Sequence, residues 1–181
     1  MTTEFLTESQ IEAGLSHVLA SPKDHGTLEA IFIRPKQNER ISLKQVYLSL
    51  EGGVQGDRWL SLASADGKSD PRSQVSLMNA RLLDLIAGHR ERRSLAGDNL
   101  IVDLDLSEDN MPAGQKLAIG DVLLQVTELP HTGCSKFVQR FGKGAVKFVN
   151  ATHRRHLHLR GIYARVLKPG NISVGDVVRK T

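Results

Sequence analysis

Hydrophobic residues occur along this chain in short runs of about four to eight residues, each closed by a turn rich in glycine, proline or asparagine. Such runs are typical of strands joined by tight turns, and no regular alternation of strands with helices is visible. The predicted strands cover residues 28–34, 41–50, 74–78, 100–104, 117–119, 122–129, 161–169, 172–174 and 177–178. The pattern therefore predicts a mainly β fold of antiparallel strands, closed as a barrel or a folded sheet, with a few short helices.

The N-terminal segment has the pattern of a helix. Thr7 and Gln10 are spaced as a capping box, in which each side chain bonds to the other residue's backbone. Apolar residues then recur at helical spacing between positions 11 and 19. We expect residues 1–24 to form a helical extension packed on the body, and residues 25–181 to form the main domain. A detachable helix that binds a partner is the alternative.

A second helix is predicted in the first half of the main domain. Asn79 is a good N-cap for residues 80–87, and Gly88 marks the C-terminal end. The two final strand pairs also resemble each other, since Gly120-Asp121 and Gly175-Asp176 each separate two short apolar runs. This similarity predicts two hairpins that close the sheet.

The only cysteine of the chain follows the 122–129 strand. Two phenylalanines spaced four residues apart predict a short helix beginning near Cys134, with Thr132 as its N-cap. The free N–H groups of a first helical turn, together with His131, Lys136 and Arg140, would favour a thiolate. Such a thiolate can be a nucleophile, a sulfur carrier or a metal ligand. The alternative is a small buried hydrophobic residue.

Charge is unevenly distributed along the chain. Between residues 131 and 170 there are nine Lys or Arg residues and no Asp or Glu. They are Lys136, Arg140, Lys143, Lys147, Arg154, Arg155, Arg160, Arg165 and Lys168. A basic stretch around the cysteine predicts an anionic partner. A small anionic molecule fits best, because the chain has no DNA- or RNA-binding signature, and nucleic acid is therefore not expected. A solvated basic face is the alternative.

The composition limits the cellular setting. One cysteine cannot form an intrachain disulfide, which is typical of a reducing, cytoplasmic location. No apolar run approaches the length of a membrane span, so that no membrane partner is expected.

Two further stretches carry candidate chemistry. The glycine-rich segment 51–59 contains Arg58, whose guanidinium can bind an oxyanion, although a purely structural turn is the alternative. The segment 153–160, read as a strand, would place His156 and His158 on one face. The sequence offers no further ligands with zinc-site spacing, and a zinc site is not expected.

Six stretches, taken together and in order, resemble the MOSC domain, which is named for the C-terminal domain of molybdenum cofactor sulfurase. They are residues 53–58, 72–77, 96–100, 117–121, 130–137, and 161–167 with the Pro169-Gly170 and Gly175-Asp176 turns. The resemblance covers residue 28 to the end. It implies a β-barrel-like fold. One departure is Gly97-Asp98-Asn99, where family members often have Gly-Glu-Asn.

The resemblance also implies a site. Cys134 matches the family cysteine that ligates the molybdenum of a pterin cofactor or carries sulfur as a persulfide. Pyridoxal phosphate is a second phosphate-bearing ligand that the resemblance suggests. Candidates to bind phosphate or pterin groups are Arg58, Arg72, Lys136, Arg140 and Arg160, with His131 and Asn99 to position them.

The activity that the resemblance implies is reduction of N-hydroxylated compounds with a molybdenum cofactor (molybdopterin type). A sulfur donor or an electron-transfer protein would be the partner. The alternative is a sulfur-delivery or anion-binding module that has no turnover of its own.

Overall fold

A closed β-barrel forms the centre of the molecule. The computed structural model describes residues 5–62 and 69–181. Strands follow one another around the barrel in the order β11-β7-β8-β9-β5-β6-β1, and β1 pairs back onto β11. All these pairs are antiparallel except β5 with β6. The barrel strands are β1 (Gly26–Ile33), β5 (Val75–Asn79), β6 (Leu100–Asp103), β7 (Lys116–Ile119), β8 (Val122–Val126), β9 (Ile162–Lys168) and β11 (Val177–Lys180).

Four further strands complete the β structure. Strand β2 (Ile41–Leu43) extends the barrel sheet from β1. A second, three-stranded sheet has the order β10-β3-β4 and consists of β3 (Gln45–Ser49), β4 (Gly53–Val54) and β10 (Gly170–Ser173). Side chains from both sheets fill one apolar core, in which Leu28, Leu77 and Leu100 are fully buried. The mainly β, barrel-like fold predicted from the sequence is confirmed.

Three helices cover one side of the barrel and enclose a second apolar core. They are α1 (Glu8–Leu19), α2 (Ala80–Ala87) and α3 (Ser135–Asn150). Phe137, Phe141 and Phe148 of α3 are buried there with Ile11 and Val18 of α1. Short 3-10 helices cover Trp59–Leu62, Pro71–Ser73, Arg90–Ala96 and Thr152–Leu157. The helix that carries the site is therefore anchored by its apolar face.

Helix starts were predicted well where side chains cap the backbone. Both hydrogen bonds of the Thr7–Gln10 capping box are present. Asn79 caps α2 through the N–H of Leu82, and Gly88 follows its last residue. At α3 the prediction was off by two residues, because Cys134 is the N-cap in place of Thr132.

Two predictions from the C-terminal third are wrong. Residues 152–157 form a 3-10 helix, whereas the alternating pattern after residue 153 suggested a strand. The Gly175-Asp176 turn does not make a hairpin, since β10 pairs with β3 while β11 pairs with β7 and β1. The turn instead carries the chain from the small sheet into the barrel, where β11 closes the ring. Only the Gly120-Asp121 turn forms a hairpin.

Candidate functional site

Cys134 lies at the start of a helix that folds back on itself. Helix α3 is kinked at Gly142, which has a φ of 86° and a ψ of 168°. A side chain there would collide with Phe5, whose Cβ lies 2.6 Å from the position of a Cβ on Gly142. Beyond the kink, the side chain of Asn150 accepts a hydrogen bond from the Gly133 N–H at 2.8 Å and donates one to the Gly133 carbonyl at 2.9 Å. This two-point contact fixes the backbone next to the cysteine.

The surroundings of Cys134 favour its thiolate. The residue is exposed, and partial burial alone would raise the pKa of the thiol. Hydrogen bonds from the backbone N–H groups of Phe137 and Lys136, and the positive charge of Arg160, outweigh this and lower the pKa. A low-pKa, accessible thiolate at a helix N-terminus is the chemistry expected of a nucleophile or a metal ligand.

Gly97 lies between two arginines from distant parts of the chain. A Cβ built on Gly97 would lie 3.8 Å from Nη1 of Arg140 and 3.9 Å from Nη2 of Arg40. Burial and the charges of Arg140, Arg34 and Arg58 lower the pKa of Arg40. Burial also lowers the pKa of Arg140; the negative charge of Cys134 opposes this fall, and the charge of Arg160 adds to it.

Arg40, Arg58 and Arg140 have no carboxylate partner within the described residues. The ion pairs found among residues 5–62 and 69–181 do not include them. Arg140 donates to the carbonyl of Leu95 at 2.9 Å. Arg40 also lines an open groove of about 360 Å³, whose lining includes Glu29 and Glu91. Arg40 is therefore accessible from solvent.

A fourth arginine, Arg34, is fully paired. Its Nε and Nη2 donate to Asp57 at 3.0 and 2.9 Å, and its backbone N–H donates to the same carboxylate at 2.8 Å. Asp57 also accepts from the Trp59 N–H and from Nδ2 of Asn99. Burial opposes the charge of Arg34, but the bonds to Asp57 raise its pKa. This buried network links the turn that carries Arg58 to strand β1.

Arg160 and Asp98 form a second buried pair. Nη1 of Arg160 donates to Asp98 at 2.7 Å, and Nη2 donates to the carbonyl of Ala96 at 3.1 Å. The guanidinium lies 4.8 Å from the ring centroid of Phe137, in the first turn of α3. Burial raises the pKa of Asp98, whereas the charges of Arg160 and Arg34 oppose this rise. Arg160 thus connects the barrel to the helix turn that follows Cys134.

His131 stands beside this pair as a neutral imidazole. Its ring stacks on Tyr163 with a centroid distance of 4.2 Å, and its side chain is 8% exposed. Burial and the charges of Arg160 and Arg34 hold its pKa well below the usual range. Nδ1 lies 3.6 Å from Oδ1 of Asp98, which is too long for a hydrogen bond. Burial and the charge of Asp98 raise the pKa of Tyr163, with a contribution from Cys134.

Unsatisfied polar atoms are concentrated in this part of the molecule. Within the described residues, the buried side-chain nitrogen or oxygen atoms without a hydrogen-bond partner are Nε of Arg40, Nε of Arg58, Oδ1 of Asp98, Nδ1 of His131 and Nε of Arg160. Buried polar atoms in proteins are nearly always paired, and exceptions call for an explanation. Asp98, His131 and Arg160 lie together beside the first turn of α3, and the charge of Arg58 acts on Arg40, which marks this region as the candidate site.

The other residues predicted for the site are Asn99, Arg72 and Lys136, and each has different surroundings. Asn99 is buried, and its side chain bonds to Ser76, to the carbonyl of Phe32 and to Asp57, so that it ties strands together. The guanidinium of Arg72 pairs with Asp70 at 2.8 Å and with Glu128 at 3.6 Å. Lys136 is exposed in the first turn of α3.

The acid-free segment does not converge as a whole. Lys147 lies 3.9 Å from Glu8, and Arg154 pairs with Glu12. These contacts place Lys147 of α3 and Arg154 of the following 3-10 helix against the N-terminal helix. Of the nine basic residues in the segment, Arg140 and Arg160 are the two whose charges act on Cys134 or respond to it.

Sequence reasoning missed several members of the site. Arg34 and Arg40 precede the family stretches, and only the pairing of β1 with β6 brings that end of the chain next to Gly97. Asp98 was noted only as a departure from the family pattern. Tyr163 lies on β9, and in the fold its ring stacks on the ring of His131. A signal was available for Asp98, since an acidic residue directly before a buried strand is a candidate partner for a buried arginine.

Two negative findings hold within the described residues. No cluster of three or more His, Cys, Asp or Glu side chains is arranged to hold a metal ion in residues 5–62 and 69–181. In the same part of the chain, no helix combines the length and apolar character needed to cross a membrane.

Comparison with known proteins places these features in context. The sequence profile of the MOSC domain matches residues 53–179. Solved structures with a similar fold include a hypothetical protein (21% identity, TM-score 0.58, 87% of this chain and 68% of that one). They also include YuaD from Bacillus subtilis (18%, TM-score 0.58, 84% and 93%) and YiiM from Escherichia coli (20%, TM-score 0.55, 86% and 69%). None of the curated proteins is significantly similar in sequence.

Proposed function

This chain belongs to the MOSC domain family, and we propose that it binds a phosphate-bearing cofactor of the molybdopterin type beside Cys134. The observation that carries the proposal is the set of unsatisfied polar atoms, which belong to Asp98, His131 and Arg160 beside the first turn of α3 and to Arg40 and Arg58. A folded protein keeps unpaired buried donors only at a cost in stability, and a ligand that pairs with them explains why they are present.

The arginines suit the phosphate end of such a cofactor. Arg40, Arg58 and Arg140 are cations without carboxylate partners in the described residues, and guanidinium groups bind phosphate oxygens through two parallel hydrogen bonds. Gly97 leaves room between Arg40 and Arg140, because any side chain there would project toward both guanidinium groups. A phosphate group would also relieve the repulsion among the three positive charges.

Cys134 is the residue that would hold the metal. Its thiol is exposed and its pKa is lowered, which favours the thiolate form that a metal ligand requires. When bound, a molybdenum–pterin group supplies two-electron redox chemistry. The protein's part is to fix the thiolate, through the contact of Asn150 with Gly133 and through Arg160 against Phe137.

Reduction of N-hydroxylated compounds is the reaction that we assign to this site. It consumes two electrons and two protons and releases water, so that an electron-transfer protein is needed as the partner. The neutral His131 and the protonated Tyr163 line the site next to the arginines. They provide polar groups for an uncharged substrate, whereas Arg40 and Arg58 remain for the cofactor.

The test uses protein purified from a host that makes the cofactor. We expect molybdenum and pterin near one per chain in the wild type, measured by elemental mass spectrometry and by fluorescence of the oxidised pterin. Cys134→Ala should lose the metal and keep part of the pterin. Arg58→Ala should lose both, because it removes phosphate binding. His153→Gln changes an exposed residue and serves as the control.

A second candidate function is sulfur transfer without turnover. It is favoured by the exposure of Cys134, since a thiolate that a partner can reach can attack the outer sulfur of a donor persulfide. The donor thiolate leaves, and Cys134 becomes the persulfide. Wild-type protein that contains neither molybdenum nor pterin, but carries a persulfide on Cys134, would overturn the cofactor proposal and support this one.

A further inference from the structure

The uncharged side of the site, at His131, restricts the chemical class of the ligand. The unpaired cations and free N–H groups of this region are all donors, namely the guanidinium groups of Arg40, Arg58 and Arg140 and the N–H groups that begin α3. A guanidinium has five N–H donors and no acceptor. A ligand that offers only acceptors would therefore satisfy the site, unless another residue supplies an acceptor.

His131 is the residue in a position to do so, and its orientation depends on Asp98. Oδ1 of Asp98 and Nδ1 of His131 face each other at 3.6 Å, and both are buried without a partner. The other oxygen of Asp98 accepts from Arg160 at 2.7 Å, which favours an ionised carboxylate that can only accept hydrogen bonds. A movement of a few tenths of an ångström would complete a bond from Nδ1–H to Oδ1.

A hydrogen bond from Nδ1–H to Oδ1 would decide the tautomer of the imidazole. Protonation of Nδ1 in a neutral ring leaves Nε2 with a lone pair, because neutral imidazole carries one proton. The stacking of the ring on Tyr163 at an interplanar angle of 26° limits its rotation. Gly161 permits this packing, because a Cβ at that position would lie 2.2 Å from the carbonyl oxygen of Leu77 and 3.4 Å from Nδ1.

We propose that Asp98 orients His131 as a hydrogen-bond acceptor of the Cys134 site, so that the ligand carries an O–H or N–H group next to its anionic group. His131 is then a specificity-determining residue, and Asp98 is a positioning residue that acts through it. The inference deepens the proposed anion site and rests on it for the ligand, but the tautomer of His131 can be measured in the protein alone.

The charges around His131 link it to the arginines. Asp98, which faces His131, directly follows Gly97, and a Cβ on Gly97 would lie 3.8 Å from Nη1 of Arg140 and 3.9 Å from Nη2 of Arg40. The Asp98–His131 pair therefore adjoins these two arginines. A hydroxyl on an anion held by Arg40 and Arg140 is the group that we expect to bond to Nε2.

The first measurement is the tautomer of His131 in ligand-free protein with ¹⁵N-labelled histidine. The chain has 7 histidines, and His131→Phe identifies the signal that belongs to this ring while keeping an aromatic group against Tyr163. We expect the proton on Nδ1 in the wild type, and a loss of this preference in Asp98→Asn. A proton on Nε2 in the wild type would overturn the inference without any variant.

The second measurement compares two tetrahedral anions of similar size at pH 6 by isothermal titration calorimetry. Inorganic phosphate carries a P–OH donor at this pH, and sulfate carries none. We expect the wild type to bind phosphate about tenfold more tightly than sulfate, as one hydrogen bond would give. His131→Phe should abolish this ratio by weakening phosphate alone, whereas Arg58→Ala should weaken both anions.

The two results separate the inference from the function that it builds on. Equal binding of both anions by the wild type, with both weakened in Arg58→Ala, would overturn the acceptor role of His131 and leave the anion site intact. Absence of binding for either anion would overturn the anion site and with it the ligand's donor group. The orientation of His131 by Asp98 would then be decided by the tautomer measurement.

Discussion

The arginines of this protein fall into two groups that differ in their partners. Arg34 and Arg93 are each held by carboxylates, with Arg34 on Asp57 and Arg93 on Asp84 and Glu29. Arg40 and Arg58, which are also partly buried, have no such partner among the described residues and leave Nε unsatisfied. The difference shows that the fold can neutralise buried cations where they serve structure. Where it does not, we propose that the cations are kept for a ligand.

The largest expected effect is the loss of stability when the carboxylate partner of a paired arginine is removed. We expect Asp57→Ala to lower the free energy of unfolding by about 3–5 kcal/mol, because it leaves the charge of Arg34 buried and unpaired. Urea unfolding of the ligand-free protein measures this loss. Asp57→Asn keeps an acceptor for the backbone N–H groups and should lose less. A change below about 1 kcal/mol in Asp57→Ala would remove the distinction between the two groups.

For the unpaired arginines we expect the opposite, a loss of phosphate affinity with little change in stability. Arg58→Ala should change the free energy of unfolding by less than about 0.5 kcal/mol, because no protein partner is left behind. Its affinity for inorganic phosphate should fall about tenfold, as expected for the loss of a charge-assisted hydrogen bond. Arg93→Ala is the matched control, since it should destabilise the fold and leave phosphate affinity unchanged. A strongly destabilised Arg58→Ala with normal phosphate binding would contradict the assignment.

The smallest expected effect is the pH dependence of stability that arises from the neutral His131. Its folded-state pKa lies well below the unfolded value near 6.5, because it is buried and faces Arg160 and Arg34, with Asp98 and Tyr163 as its other neighbours. Below pH 6.5 the unfolded chain therefore binds a proton that the folded protein does not. Stability is present above that pH and is lost as the pH falls, by up to about 1.4 kcal/mol per pH unit.

This pH effect is measured by urea unfolding between pH 7 and pH 5. The slope in the wild type should exceed the slope in His131→Phe, and the difference between the two cancels the contributions of other groups, including Asp98. Equal slopes would show that His131 has an ordinary pKa in the folded state. Such a result would also place the imidazole in a more solvated setting than the structure gives it.

Local signals in the sequence were sufficient for part of the fold. Thr7 and Asn79 indicate where their helices begin, because capping bonds involve residues only three positions apart. The lone cysteine at the end of a strand also pointed correctly to the start of a helix, although the N-cap is Cys134 itself. Local signals failed at residues 152–157, where alternation suggested a strand and tertiary packing produced a 3-10 helix.

The sequence alone determined the mainly β composition, the helix starts and the family membership, since each depends on neighbouring residues or on ordered short motifs. It also singled out Cys134. Only the tertiary structure decided which cations lie together. Arg40 is far from Arg140 along the chain but approaches it at Gly97, while Lys147 and Arg154 face α1 instead. The physical reason is that charges act through space, and the closure of the barrel sets the distances between them.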